Sequence, residues 1–292
     1  MTTTEETIAT KGLVLRRAQV RWYDALAAVL TLGRERQLRE RLVELARLTP
    51  GERVLDVGCG TGSLALAAKR AVGAAGSVTG VDASPEMIAL AMGKASRVGA
   101  DVAFRPAAAE RLPFPDASFD VVLSTLMLHH LPAPLRREFM REALRVLRPG
   151  GRILAVDFST PSAKSPGLLA RLHRRGGVPL DAIVALQRDA GFRVETTGAV
   201  GIVDLQYAIA ASPLPGESAA RAGEVPATRS LPPLARPRWI VVAVVVAALA
   251  LHAAVAGQLG SRVALSAAGV VAAVALLVMF AVHVHGARRM RH

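Results

Sequence analysis

The sequence predicts an α/β fold, a largely parallel sheet covered by helices on both faces, followed by a C-terminal helical hairpin that crosses a membrane. Three observations lead there. Between residues 53 and 211, short runs of strand-forming residues alternate with stretches whose apolar positions recur every three or four residues. One strand-to-helix joint is the glycine-rich "VLDVGCGTGSLALAAKR", Val54 to Arg70. Beyond residue 238 lie two long stretches without Lys, Arg, Asp or Glu, Trp239 to Leu259 and Val263 to Val284.

Residues 1–48 form the first region. "VRWYDALAAVL" and "RERQLRERLVELARL" place apolar residues at helical spacing among charges, and Thr49-Pro50-Gly51 ends the run. Residues 49–211 carry the alternation: strand "RVLDVG", a helix from about Ser63, strand "SVTGVD", a helix from about Ser84, then strands "VAFRP" and "FDVVLST". A helix from about Pro134, strand "GRILAVDF", a helix from about Leu180, and strands "FRVETTG" and "VDLQYAIAA" complete it. The short loop between the last two strands predicts an antiparallel hairpin at the sheet edge. Residues 212–238 hold six prolines and no apolar periodicity, and read as a linker. As a flexible coil it spans roughly 25 to 30 Å, which lets the domain rest near a bilayer.

Each uncharged stretch, 239–259 and 263–284, matches the roughly 20 residues that cross a bilayer core, and neither has a polar face. Only Gly260-Ser261-Arg262 separates them, so they form a tight hairpin. Arg236 and Arg238 before it and Arg288, Arg289 and Arg291 in the tail 285–292, against Arg262 at the turn, place both termini and the soluble domain in the cytoplasm. Within the spans His252 is expected to face protein and to bond Ser266, and Ala253 and Gly257 to allow close helix approach. His283 and His285, two apart, fall on different helix faces, and no metal site is expected. The polar start "MTTTEETIATKG" is no secretory signal. The net charge of +13 is carried by arginine, because lysine occurs only at 11, 69, 94 and 164. Nucleic acid, an anionic leaflet, or arginine-rich coding each accounts for it, so charge alone decides little. The sole cysteine, Cys59, excludes an internal disulfide and suits a reducing compartment.

The glycine-rich turn is not a dinucleotide fingerprint, since Gly58, Gly60 and Gly62 are followed by Ser63 where the last glycine would stand, and no Walker lysine follows. Asp56 at the strand end repels a pyrophosphate and attracts a cation, which favours an amino-acid moiety or a sulfonium. Asp82 ends the next strand, 26 positions after Asp56, where a carboxylate accepts the hydroxyls of a ribose. Ser84-Pro85-Glu86 caps and opens the following helix. Together they predict nucleoside binding.

"VLDVGCGTG", "VTGVDASPEMIALA", "ERLPFPDASFDVVLSTLMLHHLP" and "LRVLRPGGRILAVDF" resemble the successive motifs of class I S-adenosylmethionine-dependent methyltransferases, nearest the ubiquinone/menaquinone-biosynthesis C-methyltransferase (methyltransferase type 11) group. The resemblance covers roughly residues 15 to 211. It implies a Rossmann-like seven-stranded, mostly parallel sheet with the last strand inserted antiparallel, and S-adenosyl-L-methionine as cofactor. By position it places Asp56, Gly58, Cys59, Gly60 and Gly62 at the methionine portion and Asp82 at the ribose. Ala83 and Met87 fall against the adenine, with Ala109, Glu110 and Ser124 completing the cofactor side. Ala108 stands where relatives usually carry an Asp for the adenine amino group, a loss of about 1 kcal/mol or roughly fivefold in affinity. Glu110 replaces that acid if the backbone shifts and is otherwise a solvated loop charge.

Methyl transfer from a sulfonium asks the protein mainly to align the nucleophile, exclude water and, where needed, take a proton. Candidates for contact with acceptor or proton are Ser124, His129 and His130 after the fourth strand, Asp157 after the fifth, and Tyr23 with Asp24 on a lid helix. Their ordinary roles would be capping and packing. The Asn/Asp-Pro-Pro-Tyr/Phe motif of nucleic-acid amino methylation is replaced by Ser124-Thr125-Leu126-Met127, so no nucleic-acid partner is expected. The leading reading is a membrane-anchored methyltransferase for a small lipophilic acceptor, such as a quinone precursor, another lipid or a secondary metabolite. A degenerate interaction module and methylation of a membrane-associated protein stand as alternatives. The methylated atom, the acceptor and the oligomeric state stay open at this point.

Overall fold

Strands covered on both faces bury consecutive residues, not alternate ones. β1 (Arg53–Val57) buries all but its first residue and β4 (Phe119–Thr125) all but its last. Around them lie β2 (Ser77–Asp82), β3 (Ala103–Pro106), β5 (Leu147–Phe158), β6 (Arg193–Ala199), β7 (Leu205–Ala211) and β8 (Ala227–Thr228) in the order β3-β2-β1-β4-β5-β7-β6-β8. β1 to β5 pair in parallel, and β7 runs antiparallel to both β5 and β6. The helices are α1 (Glu35–Leu45), α2 (Ser63–Val72), α3 (Pro85–Arg97), α4 (Ala133–Val146) and α5 (Leu180–Asp189), with a 3₁₀ turn at Leu128–His130. The computed structural model describes residues 34–159, 177–202, 205–216 and 227–232, all within one compact unit.

Register assigns the faces. Leu55, Val122, Ile153 and Ala210 sit side by side across β1, β4, β5 and β7. That row packs with Phe139, Met140 and Ala143 of α4 and Ile183 of α5 in the main core. From β1 the chain steps outward to β2 and β3 and then returns to place β4 on the other side of β1. This reversal opens a crevice at the C-terminal ends of β1 and β4, the usual ligand position in such sheets. Loops bordering it are fixed from below. Arg145 on α4 donates to the carbonyls of Leu112 and Phe114 at 2.9 and 2.8 Å and pairs with Glu142, whose carboxylate accepts from Leu112 N at 2.7 Å.

Among the described residues the sheet has eight strands, one more than expected. Within the stretch expected as linker, Ala227 and Thr228 lie beside Thr196 and Thr197 of β6. Arg229 N and Leu231 N donate to Thr197 O and Ala199 O at 2.8 and 2.9 Å, and the Tyr207 hydroxyl donates to Arg229 O. Arg41 donates to Val200 O and Pro232 O at 2.8 and 3.0 Å. Docking runs through backbone groups, which explains why a proline-rich segment without alternation showed no strand signal. It also covers an otherwise open sheet edge. The expected lid residues Tyr23 and Asp24, both membrane spans, and His252, Ser266, His283 and His285 lie outside the described residues. Among the described residues no helix is long and apolar enough to cross a membrane.

A Cβ on Gly198 would stand 2.2 Å from the carbonyl oxygen of Arg229. Gly198→Ala therefore forces the segment off β6, at a cost of about 1–3 kcal/mol. Thermal denaturation is expected to show a midpoint lower by a few degrees, and trypsin to cut faster after Arg229. A parental midpoint with parental cleavage would show that the segment contributes nothing to stability.

Candidate functional site

The loop from Gly58 to Gly62 turns back across the end of β1. Gly58 N and Cys59 N donate to Val81 O of β2 at 2.8 and 2.9 Å. Gly62 has φ +75 at the N-cap of α2, where a side chain would be strained, and a Cβ there would meet Phe104 at 2.7 Å. Gly58 has φ +73 and leaves room for Met127, whose Cγ would be 2.5 Å from an added Cβ. Gly60 N donates to Asp82 Oδ2 and Ser84 N to Asp82 Oδ1, each at 2.9 Å. One carboxylate thus joins the two loops flanking the crevice. Ala83 follows directly, and Ser84 caps α3 by accepting from Met87 N at 3.3 Å.

Asp56 is 2% exposed, and its Oδ2 has no hydrogen-bond partner. Burial first, and then the charge of Asp82, push its pKa up to about 7, with the Ala65 amide opposing. Asp82 is raised as well, by burial, against the Ser84 and Gly60 amides. A buried, unpartnered carboxylate oxygen in the field of a second carboxylate is satisfied by a cationic group, and the donor set fits a ligand with sulfonium or ammonium beside ribose hydroxyls. Cys59, buried beside both acids, has its thiol pushed far above the usual range, so a thiolate nucleophile is disfavoured.

The loop after β3 is tied to the same place by Ala107 N, which donates to Asp82 O at 3.0 Å. Ala109 is buried and Ala108 partly so, while Glu110 Oε2 is buried without a partner. Glu110 as a whole is half-buried, with that one carboxylate oxygen out of solvent. Ser124 Oγ, fully buried at the end of β4, and its neighbour Thr125 Oγ1 are also unpartnered.

Past Thr125 the chain kinks. Leu126 has φ +57, an uncommon region for a branched side chain and a mark of local strain, and its N–H donates to Val156 O at 2.9 Å. The kink delivers Met127 onto Gly58 and His129 onto β5. His129 N donates to Asp157 Oδ2 at 3.0 Å, and His129 Nδ1 lies 2.9 Å from Asp157 Oδ1, which also accepts from Phe158 N at 2.7 Å. Against a fully buried carboxylate acceptor Nδ1 carries a proton, and in the neutral ring the Nε2 lone pair is then free. The His130 ring lies against that of His129, centroids 3.9 Å apart and planes tilted by 46°, and its pKa is lowered by partial desolvation and by His129, with Asp157 opposing.

The structure thus gathers Asp56, Gly58, Cys59, Gly60, Gly62, Asp82, Ala83 and Met87 at the ends of β1 and β2. Glu110 and Ala109 join them through Ala107. It brings His129 and Asp157 into contact, with His130 against the ring. The pairing itself escaped sequence reasoning, although both residues stood at the C-terminal ends of strands that a doubly wound order makes neighbours. The kink at Leu126 and the burial of Glu110 had no sequence signal.

A family profile described as a methyltransferase domain matches residues 54–151. The chain is 38% identical over 158 residues to demethylmenaquinone methyltransferase of Thermus thermophilus, spanning 54% of this chain and 70% of that protein. It is 38% identical over 169 residues to 27-O-demethylrifamycin SV methyltransferase of Amycolatopsis mediterranei, spanning 55% of this chain and 61% of that one. The fold is shared with a solved SAM-dependent methyltransferase from Aquifex aeolicus at TM-score 0.52 and 23% identity, over 64% of this chain and 98% of that one.

Asp56 keeps its proton up to a pH of about 7 in the ligand-free protein, whereas a cationic ligand favours the ionised form. Affinity for S-adenosylmethionine is therefore expected to rise as pH increases toward that value, with release of about one proton per site below it. Calorimetry in two buffers of different ionisation enthalpy checks this against Asp56→Asn, which should lack the release and bind about 10- to 100-fold more weakly. Identical proton release and affinity in the two proteins would remove Asp56 from the site.

Proposed function

The chain belongs to the class I S-adenosylmethionine-dependent methyltransferases, and on that premise we propose that it methylates an ionisable hydroxyl or enol-type carbon of a small lipophilic acceptor, with His129 as general base. The observation that carries this reading is the 2.9 Å contact between His129 Nδ1 and buried Asp157, beside the glycine loop. The cofactor supplies a methyl group on a sulfonium, whose carbon–sulfur bond breaks with its electron pair returning to sulfur as the bond to the acceptor forms. Asp56 and Asp82 hold the positive charge and the ribose hydroxyls. Glu110, two residues past Ala108 with a buried free oxygen, is the acid available to the adenine amino group. His129 takes the acceptor's proton at Nε2, and Asp157 orients the ring and stabilises the imidazolium that results.

Two relatives are named for small molecules, demethylmenaquinone and 27-O-demethylrifamycin SV, which supports an acceptor of that kind. The proposal extends to the uncharged stretches 239–259 and 263–284 as a two-span anchor, with the domain and both termini on the cytoplasmic side. Such an anchor keeps the domain beside an acceptor dissolved in lipid. Its support is the length and hydropathy of the two stretches.

Membranes containing the full-length protein, supplied with methyl-labelled S-adenosylmethionine and demethylmenaquinol as probe, test the reading. Label is expected in the lipid extract. His129→Ala should lower the transfer about 10²- to 10⁴-fold without changing affinity for S-adenosylhomocysteine, and Asp157→Asn should lower it less. Label in polypeptide would replace the small acceptor by a protein, and a parental rate in His129→Ala would remove the base.

A further inference from the structure

The turn that presents His129 is poorly able to hold itself. Two i→i+3 bonds define it, His130 N to Met127 O at 3.0 Å and Leu131 N to Leu128 O at 3.1 Å, and short 3₁₀ turns have strained hydrogen-bond geometry. Leu131 then leaves in an extended conformation, φ −90 and ψ 135, and passes straight into Pro132 and α4.

One side chain spans this turn. The Nε–H of Arg136 donates to Leu128 O at 2.9 Å and to Leu131 O at 2.8 Å, joining the carbonyl that opens the turn to the carbonyl that follows it. Arg136 sits at the end of the first turn of α4, where the helix terminus favours acids and disfavours cations, and that turn carries no acid. Local electrostatics therefore works against an arginine here, and the compensating interaction is the contact with the two carbonyls. The opposite side of the same segment is held by Asp157, through the backbone N–H and ring of His129.

We infer that Arg136 is a positioning residue for methyl transfer, clamping the Leu128–His130 turn so that Asp157 keeps the His129 ring in one tautomer with Nε2 presented to the acceptor. The inference rests on the reading of His129 as base. A general base acts only within hydrogen-bond reach of its proton, and displacement by about 1 Å costs on the order of 10²-fold in rate. The chemistry of the clamp also selects its variants. In Arg136→Gln the amide nitrogen stands the same number of bonds from Cα as the arginine Nε and still donates. In Arg136→Met a methyl group stands there and donates nothing.

Nitrogen NMR of the full-length protein labelled in histidine reads the tautomer of His129 directly, and a fold that only lost stability elsewhere would not alter it. The parent is expected to show Nδ1 protonated and Nε2 unprotonated, Arg136→Gln to keep that pattern, and Arg136→Met to show the two nitrogens averaging. Affinity for S-adenosylhomocysteine should stay parental in all three. A fixed pattern surviving in folded Arg136→Met overturns the clamp alone. Absence of a fixed Nδ1–H form in the parent takes down the reading of His129 and the clamp with it. Should Arg136→Met fail to fold, hydrogen exchange at Arg136 Nε–H in the parent decides: protection supports the clamp, and exchange as fast as a free guanidinium overturns it.

Discussion

A buried carboxylate and a half-buried one close to it, with no cation against either among the described residues, are the constraint on which the remainder of the site depends. Asp56 and Asp82 stand at the ends of adjacent strands, and burial raises the pKa of each, the charge of Asp82 adding to the rise at Asp56. Backbone amides satisfy Asp82 from both flanking loops, whereas Asp56 keeps an oxygen with no partner. In a protein interior such an arrangement is unfavourable by itself, since an unsatisfied polar atom costs about 1–3 kcal/mol. It persists because the sheet over-determines it: β1 is held on one side by β2 and on the other by β4, and neither acid can move without breaking a ladder. The deficit is one that a ligand bringing positive charge would relieve.

The second requirement is that the reacting groups lie near that charge, and here the fold uses small residues. Gly58 has no Cβ, so Met127 lies against the cofactor loop. That contact places the strained kink at Leu126 and the His129 turn beside the crevice, while Val156 and Asp157 anchor the same segment to β5. The glycine loop and the His129 turn are thus parts of one packed unit. A bulkier residue at position 58 would act on both.

What was legible in the sequence followed from local chemistry. Glycines in a turn after a strand, an acid ending each of two strands, and a Ser-Pro-Glu helix start signal themselves within a few residues, and the structure puts them where that chemistry needs them. The antiparallel insertion of β7 between β5 and β6 agrees with the order implied by the family resemblance. What escaped was created by tertiary contact. His129 and Asp157 are 28 positions apart, and neither residue type announces a partner. The eighth strand docks through backbone groups over Gly198 and Gly201, so its composition reads as linker while its environment makes it strand. Glu110 looks like a surface charge until the loop is seen pinned to Asp82 and to Arg145 and Glu142.

The reaction itself gives the acid pair a consequence beyond binding. Methyl transfer turns a sulfonium into a neutral thioether, so whatever part of the attraction from Asp56 and Asp82 is directed at sulfur disappears as the product forms. In the proposed reading the same carboxylates continue to hold the ammonium and the ribose, which do not change. Their preference for the reactant over the spent cofactor therefore equals only the sulfur-directed part. Asp56 titrates near neutrality in the ligand-free protein, so in the proposed reading its reprotonation follows departure of the ammonium and resets the empty site. In that reading the pair serves capture, provided its field is not quenched by a permanent counter-ion. Among the described residues no hydrogen-bond donor reaches Asp56 Oδ2, and the place is left to the ligand.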